Sequence, residues 1–205
     1  SDLSASPARE TIARLLRPAS VAIVGASASP GALGYQLLAN LERQGYAGTI
    51  HLINPRRAEI AGRACLASVA DLPEGVDVAV LAIPRDAVLE TVRALAARGV
   101  GGAIIFSAGF AEGGAAGLAE QQAIAAVARD AGMVLMGPNC LGMINFLDGI
   151  ELSFVTVPPM KRRDGPRIGL VSQSGAMAVV VATTLIAKGL ALSYYVSTGN
   201  EAQSG

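Results

Sequence analysis

Tryptophan is absent, aromatic residues make up only 4% of the 205 positions, and histidine occurs once. No basic run interleaved with aromatics occurs, and the 16 Lys+Arg are balanced by 16 Asp+Glu, so no nucleic-acid face is built and no nucleic-acid partner is expected. The two cysteines, Cys65 and Cys140, form neither a CxxC pair nor a Cys/His cluster, which argues against a disulfide framework and a zinc site. Both thiols are expected to be reduced, and no metal site is expected. No apolar run reaches the roughly 20 residues that cross a bilayer, and the opening "SDLSASPARETIARLL" lacks the charged start and apolar core of a signal peptide. No membrane partner and a cytoplasmic location follow as expectations. The lone His51 is read as opening the second strand, at the amino end of the sheet, in a structural or surface role.

What is plentiful is apolar residue, 52%, and glycine, 24 positions, enough for a full core cut by many turns. Ser6 as N-cap and Pro7 at N1 start a short helix in which Ile12, Leu15 and Leu16 share a face, and Pro18 stops it. Short β-branched runs then alternate with amphipathic segments. Strands are expected over Val21–Val24, Thr49–Ile53, Val76–Ile83, Gly102–Phe106 and Met133–Met136, with helices from about Gly34 to Gln44, after Pro84 as far as Gly99, and up to about Ala131. Runs so continuously apolar belong to a parallel sheet covered on both faces. The segment "FLDGIELSFVTVPPMKRRDGP", from about Phe146 to Pro166, breaks the alternation and holds a domain boundary. A second α/β unit follows: a strand over Arg167–Val171, the turn "SQSGAM", a helix over Ala176–Lys188 and a strand over Leu192–Val196. Two strands and one helix cannot close a doubly wound domain, so this unit is expected to be incomplete.

In an open parallel sheet, ligands bind beyond the carboxyl ends of the strands, and every unusual stretch here falls at such an end. After strand one, "VGASASPGALG" carries Gly25, Gly31 and Gly34 in a G-x5-G-x-x-G spacing, without the inner glycine of the dinucleotide turn. After strand two, where an acid normally grips a free ribose 2′-hydroxyl, "NPRR" offers Asn54, Pro55, Arg56 and Arg57. Paired guanidinium groups match a phosphate dianion in charge and geometry, so a phosphorylated ribose is implied; the alternative is a pair of solvated surface arginines. NADP and coenzyme A both carry such a ribose, and the missing inner glycine favours coenzyme A. In "GPNCLG", Cys140 lacks a base and is read as a small residue whose neighbouring N–H groups face an anion. "SQSGAM" sets Ser172, Ser174 and Gly175 at a helix start, where N–H groups favour a phosphate.

In order and spacing, "LLRPASVAIVGASASPGALG", "INPRR", "DLPEGVDVAVLAIP", "FSAGFAE", "GPNCLGMIN" and "GLVSQSGAM" resemble the NDP-forming (ADP-forming) acyl-CoA synthetases, relatives of the succinyl-CoA synthetase alpha subunit. The resemblance implies an α/β protein: a Rossmann-like parallel-sheet CoA-binding domain over residues 1–148, then the N-terminal part of a flavodoxin-like CoA-ligase domain over residues 149–205. It implies an acid–thiol ligase that joins a carboxylic acid to CoA with ATP, through an acyl phosphate and a phosphohistidine. Carried over by motif, Gly25, Ser27, Ser29, Pro30, Gly31 and Gly34 meet the CoA phosphates, and Asn54, Pro55, Arg56 and Arg57 the adenosine and its 3′-phosphate. Ile83 and Pro84 take the adenine or pantetheine side, and Ser107, Ala108 and Gly109 line the thiol arm. Asn139 and Cys140, with Ser174 and Gly175, form the pocket for the phosphoryl group of the phosphohistidine. That histidine, the ATP-grasp domain and the ATP/ADP and Mg sites are expected elsewhere, in the same polypeptide or on a partner subunit, and a homo-oligomer is expected. An alternative is the CoA- or acyl-CoA-binding regulatory part of a bacterial protein lysine acetyltransferase; an NADP-dependent oxidoreductase is a third class.

Overall fold

The computed structural model describes residues 7–157 and 165–203. The first helix, α1 (Pro7–Leu16), is tied to the sheet by Asp77, whose carboxylate accepts from Arg14 Nε at 2.6 Å and from the Ala19 N–H at 2.8 Å. Leu15 is buried beneath it, but Ile12 stays 47% exposed, so the expected shared face reaches the core through Leu15. The N-cap expected at Ser6 lies outside the described residues.

Five apolar runs form the parallel part of the larger sheet: β1 (Ser20–Val24), β2 (Thr49–Ile53), β5 (Val78–Leu81), β6 (Gly102–Ile105) and β7 (Val134–Met136). Between β2 and β5 lie β3 (Glu59–Ile60) and β4 (Arg63–Leu66), a short hairpin that prolongs the edge, with β4 parallel to β2. The order is β3-β4-β2-β1-β5-β6-β7. Besides α1, three helices cover it. On one face α2 (Leu33–Arg43) sets Leu37, Leu38 and Leu41 against Val21, Ile23, Val78 and Val80. On the other, α3 (Val88–Ala97) and α4 (Ala115–Asp130) set Val88, Val92, Leu95 and Ile124 against Ala22, Val24, Leu81 and Ile105. Both faces being covered explains why the strands read as continuous apolar runs and not as alternations.

A second sheet has the order β10-β11-β8-β9. Its parallel pair, β10 (Arg167–Ser172) and β11 (Ala191–Ser197), is joined by α5 (Gly175–Ala187), as the sequence suggests. The other two strands, β8 (Gly142–Asn145) and β9 (Ile150–Ser153), form an antiparallel hairpin, and β8 pairs antiparallel with β11. The two strands expected after residue 148 thus become three among the described residues, and β8, before it, joins them in one four-stranded sheet. The stretch that reads as a linker contains a strand, and the turn 146–149 is made by Asn145, whose side-chain oxygen accepts from the Leu147 and Asp148 N–H groups. The expected boundary at 148/149 falls within that turn. The hairpin also ties the two sheets together through α2: Asn40 Nδ2 donates to Ser153 O at 2.8 Å, and Arg43 reaches the buried Glu151 at 2.7 Å. Val171 on β10 and Met177 and Val180 on α5 are exposed, 68%, 60% and 58%.

Candidate functional site

At β1 the crossover connections diverge, α2 returning over one face and α3 over the other, which opens a crevice at the carboxyl ends of β1 and β5. The loop after β1 enters that crevice in a fixed path. The Gly25 and Ala26 N–H groups both donate to Ile53 O, at 3.3 and 3.2 Å. A Cβ on Gly25 would overlap the Ala82 carbonyl oxygen, and one on Gly34 would overlap the Gly25 carbonyl oxygen. The outer glycines of the motif therefore let strand β1, the β5 loop and the first turn of α2 lie against one another. Ser27, where the dinucleotide turn has its inner glycine, folds its hydroxyl onto its own loop and accepts from the Ser29 N–H at 3.1 Å. Ser29, Pro30 and Gly31 form an exposed tip. The N-cap of α2 is Ala32, which has no side chain to occupy the first-turn N–H groups.

Asn54, at the end of β2, is the hinge pin of the next loop. Its Nδ2 donates to Ala26 O at 2.9 Å, and its Oδ1 accepts from the Arg56 and Arg57 N–H groups at 2.8 and 3.1 Å. The amide ties loop to loop and fixes the backbone that carries the two arginines. Pro55, Arg56 and Arg57 are exposed, and neither guanidinium has a carboxylate partner among the described residues. Across the crevice, Ile83 is half-buried and Pro84 exposed, and Ser107 Oγ donates to Ile83 O at 2.7 Å. Ser107 O in turn accepts from the Asn139 N–H at 2.9 Å, linking the β5, β6 and β7 loops. Ala108 is exposed beside Gly109, whose N–H donates to Glu112 at 2.5 Å.

Asn139, Cys140, Ser174 and Gly175 are brought together around one cleft of about 610 Å³ where the two sheets meet. Ser174 is the N-cap of α5, accepting from the Met177 N–H at 3.3 Å, so the helix start faces the cleft. Cys140 is 3% exposed and its Sγ donates to Ile105 O at 3.4 Å; burial pushes its thiol up to about 12. A thiolate is therefore scarce there at neutral pH, in keeping with a small packing residue and not a nucleophile. His51 sits at the centre of β2 and does not open it, and burial lowers its pKa.

The sequence reading missed the wall that completes this cleft. The turn after β11 supplies Gly199 and Asn200, and it is sewn to the "GPNC" loop by three backbone bonds: Gly137 N–H to Thr198 O, Asn200 N–H to Pro138 O and Ala202 N–H to Gly137 O. Asn200 Nδ2 donates to Glu112 Oε2 at 2.5 Å and to the buried Gln121 Oε1 at 3.0 Å. Burial opposes charge on Glu112, but the Asn200 amide and the backbone N–H groups of Glu112, Gly109 and Phe110 outweigh it and hold its carboxyl below the usual range. Phe106, Leu141 and Phe154 form the apolar side, with Gln173 beside Ser174. The only local signal was the Gly-Asn turn at 199–200 following a strand.

Residues 19–145 match the family described as CoA binding domain, and residues 165–205 match the succinyl-CoA ligase like flavodoxin domain. Among curated relatives, the trans-feruloyl-CoA synthase FCS1 of an unknown prokaryotic organism is 51% identical over 96% of this chain, which spans 28% of that protein. The ADP-forming acetate–CoA ligase I of Archaeoglobus fulgidus is 38% identical over 92% of the chain and 27% of its own length. Among solved structures, the apo dinucleotide-forming acetyl-coenzyme A synthetase 1 of Ca. Korarchaeum cryptofilum superposes with a TM-score of 0.85 at 31% identity, over 95% of this chain and 41% of that one.

Proposed function

This chain belongs to the family of the CoA binding domain, and from that premise we propose that it holds coenzyme A along the carboxyl rim of its parallel sheet as part of an NDP-forming acyl-CoA synthetase. The observation that carries this reading is the loop after β2. Two exposed guanidinium groups without acidic partners stand where a dinucleotide enzyme for an unphosphorylated ribose needs an acid, and Asn54 fixes the backbone that presents them. Arg56 and Arg57 take the 3′-phosphate, the loop from Gly25 to Gly34 and the uncapped start of α2 take the diphosphate, and Ile83–Pro84 with Ser107–Gly109 guide the pantetheine arm toward the cleft. There the N–H groups at the start of α5, with Ser174, Gly175, Asn139 and the backbone at Cys140, hold a phosphoryl group.

The division at 148, into a CoA-binding domain and the start of a ligase domain, belongs to the same proposal, as does a cytoplasmic homo-oligomer. So do ATP, Mg and the phosphorylated histidine, supplied by further ligase and ATP-grasp parts in the same polypeptide or on a partner subunit. His51, held within β2, is not that histidine. The relatives named above are CoA ligases, and nothing favours the acetyltransferase-regulator reading.

Thermal melting with CoA, dephospho-CoA and NADPH tests the reading. At a hundredfold excess over Kd, CoA is expected to stabilise by about 2.7 kcal/mol, roughly 5–10 °C for a chain of this size. Dephospho-CoA should give a clearly smaller shift, and Arg56→Ala with Arg57→Ala should abolish the difference. Stabilisation by NADPH alone, or no CoA shift, overturns the proposal.

A further inference from the structure

Resting on that reading, we infer that Arg85 is a further ligand-binding residue, whose free guanidinium edge donates to an amide carbonyl of the pantetheine arm. Arg85 directly follows Pro84 and opens the single 3-10 turn Arg85–Ala87 after β5, and its side chain lies across Gly109 in the loop after β6. A Cβ on Gly109 would sit 3.3 Å from Arg85 Cδ and 3.7 Å from its Nη1, so the bare face of that glycine is the floor on which the guanidinium rests. Arg85 thus stands between the two loops proposed to guide the arm, Ile83–Pro84 and Ser107–Gly109.

The side chain is held from two further directions. Its Nε and Nη2 both donate to Glu120 Oε2 on α4, at 2.9 and 2.5 Å, and its Cζ lies 5.5 Å from the ring centroid of the fully buried Phe110. A long cationic side chain gives up several rotamers when it is fixed, and here protein contacts fix it before any ligand arrives. Nη1 has no hydrogen-bond partner among the described residues. The neighbouring donors are already engaged, Ser107 Oγ with Ile83 O and the Gly109 N–H with Glu112. The pantetheine arm carries two amide carbonyls and no charge, so it calls for directional donors. With Glu120 balancing the guanidinium, Arg85 offers such a donor more than a net positive charge.

The test is calorimetric titration of the chain, and of its Arg85→Ala and Arg85→Lys variants, with CoA and with 3′-phospho-ADP, which keeps the adenosine, the 3′-phosphate and the diphosphate but lacks the arm. CoA is expected to bind the alanine variant about tenfold more weakly or worse, the worth of one hydrogen bond from a charged donor. Arg85→Lys keeps the charge without the planar fork and should lose most of the same affinity. Binding of 3′-phospho-ADP should be the same in all three proteins, which also shows that the variants fold. Equal weakening of both ligands overturns the inference, because Arg85 then meets phosphate or acts through charge alone. Full CoA affinity in either variant overturns it as well and leaves the CoA reading standing. Failure of the parent chain to bind CoA at all overturns the reading and the inference together.

Discussion

Asn54 makes three hydrogen bonds with one amide, and its removal separates a positioning role from direct contact with a ligand. Asn54→Ala leaves Ala26 O without its donor in a half-buried setting and frees two N–H groups, those of the exposed Arg56 and Arg57, for water. A net 0.5–1.5 kcal/mol for each bond, at the low end for the two that water can replace, gives a loss of about 1.5–2.5 kcal/mol. At about 2–4 °C per kcal/mol for a chain of this size, the melting temperature should fall by about 3–10 °C. The arginine pair then samples many orientations, so CoA should weaken by about tenfold while dephospho-CoA, which lacks the 3′-phosphate, weakens much less. Asn54→Asp keeps an acceptor for both N–H groups but sets a carboxylate against Ala26 O and beside the proposed phosphate site, so its CoA affinity should fall further than that of the alanine variant. Melting curves and titrations with both ligands decide the matter. A variant that melts within about 1 °C of the parent refutes the hydrogen-bond accounting. One that keeps its stability yet loses CoA and dephospho-CoA equally shows that Asn54 touches the nucleotide itself.

Two further outcomes are expected. With its thiol pushed up to about 12, Cys140 should be thiolate in roughly one molecule in ten thousand or fewer at pH 7.5. Titration with a thiol-reactive disulfide should therefore count at most Cys65 in the native chain and both thiols in denaturant; rapid labelling of Cys140 in folded protein would contradict the packing role. Glu151, fully buried, has its carboxyl pKa raised, chiefly by burial and against the pull of Gln44 and Arg43. A raised folded-state pKa means this group's contribution is fully present below its unfolded value, near 4.3, and is lost as pH rises through the folded value. The stability of Glu151→Gln relative to the parent should thus improve from pH 4.5 to 7, as followed by denaturant melts; a flat or opposite trend sinks the argument.

How much of this could be read from the sequence depended on whether the information was local. The parallel strands and α2 were legible because an apolar run of four or five residues followed by a helical period admits one arrangement, with helices on both faces. The β8–β9 hairpin was equally local, since Asp148-Gly149 between two apolar runs is a hairpin signal, but the prolines beyond it drew the segment into a linker reading. The β3–β4 hairpin offers strands of two and four residues, too short for any period to show. In the cleft, Asn139 and Ser174 stood out because loop chemistry marks them, whereas Phe106, Phe154 and Asn200 acquire a role only through partners some 50–90 positions away. The arginines after β2 were conspicuous by type; that Asn54 fixes the backbone presenting them was a matter of which way one amide turns.

Gly199 packs where the "GPNC" loop and the turn after β11 are sewn together, and a Cβ there would overlap the Pro138 carbonyl oxygen. The absent methyl works as a spacer of zero thickness between the two walls of the cleft. Gly199→Ala would act as a shim, parting the walls without altering the side chains that line the aromatic surface or the arginine loop. The aperture of the cleft is in this sense a separate dimension from its chemistry, set by the size of one residue while every side chain that lines it stays the same.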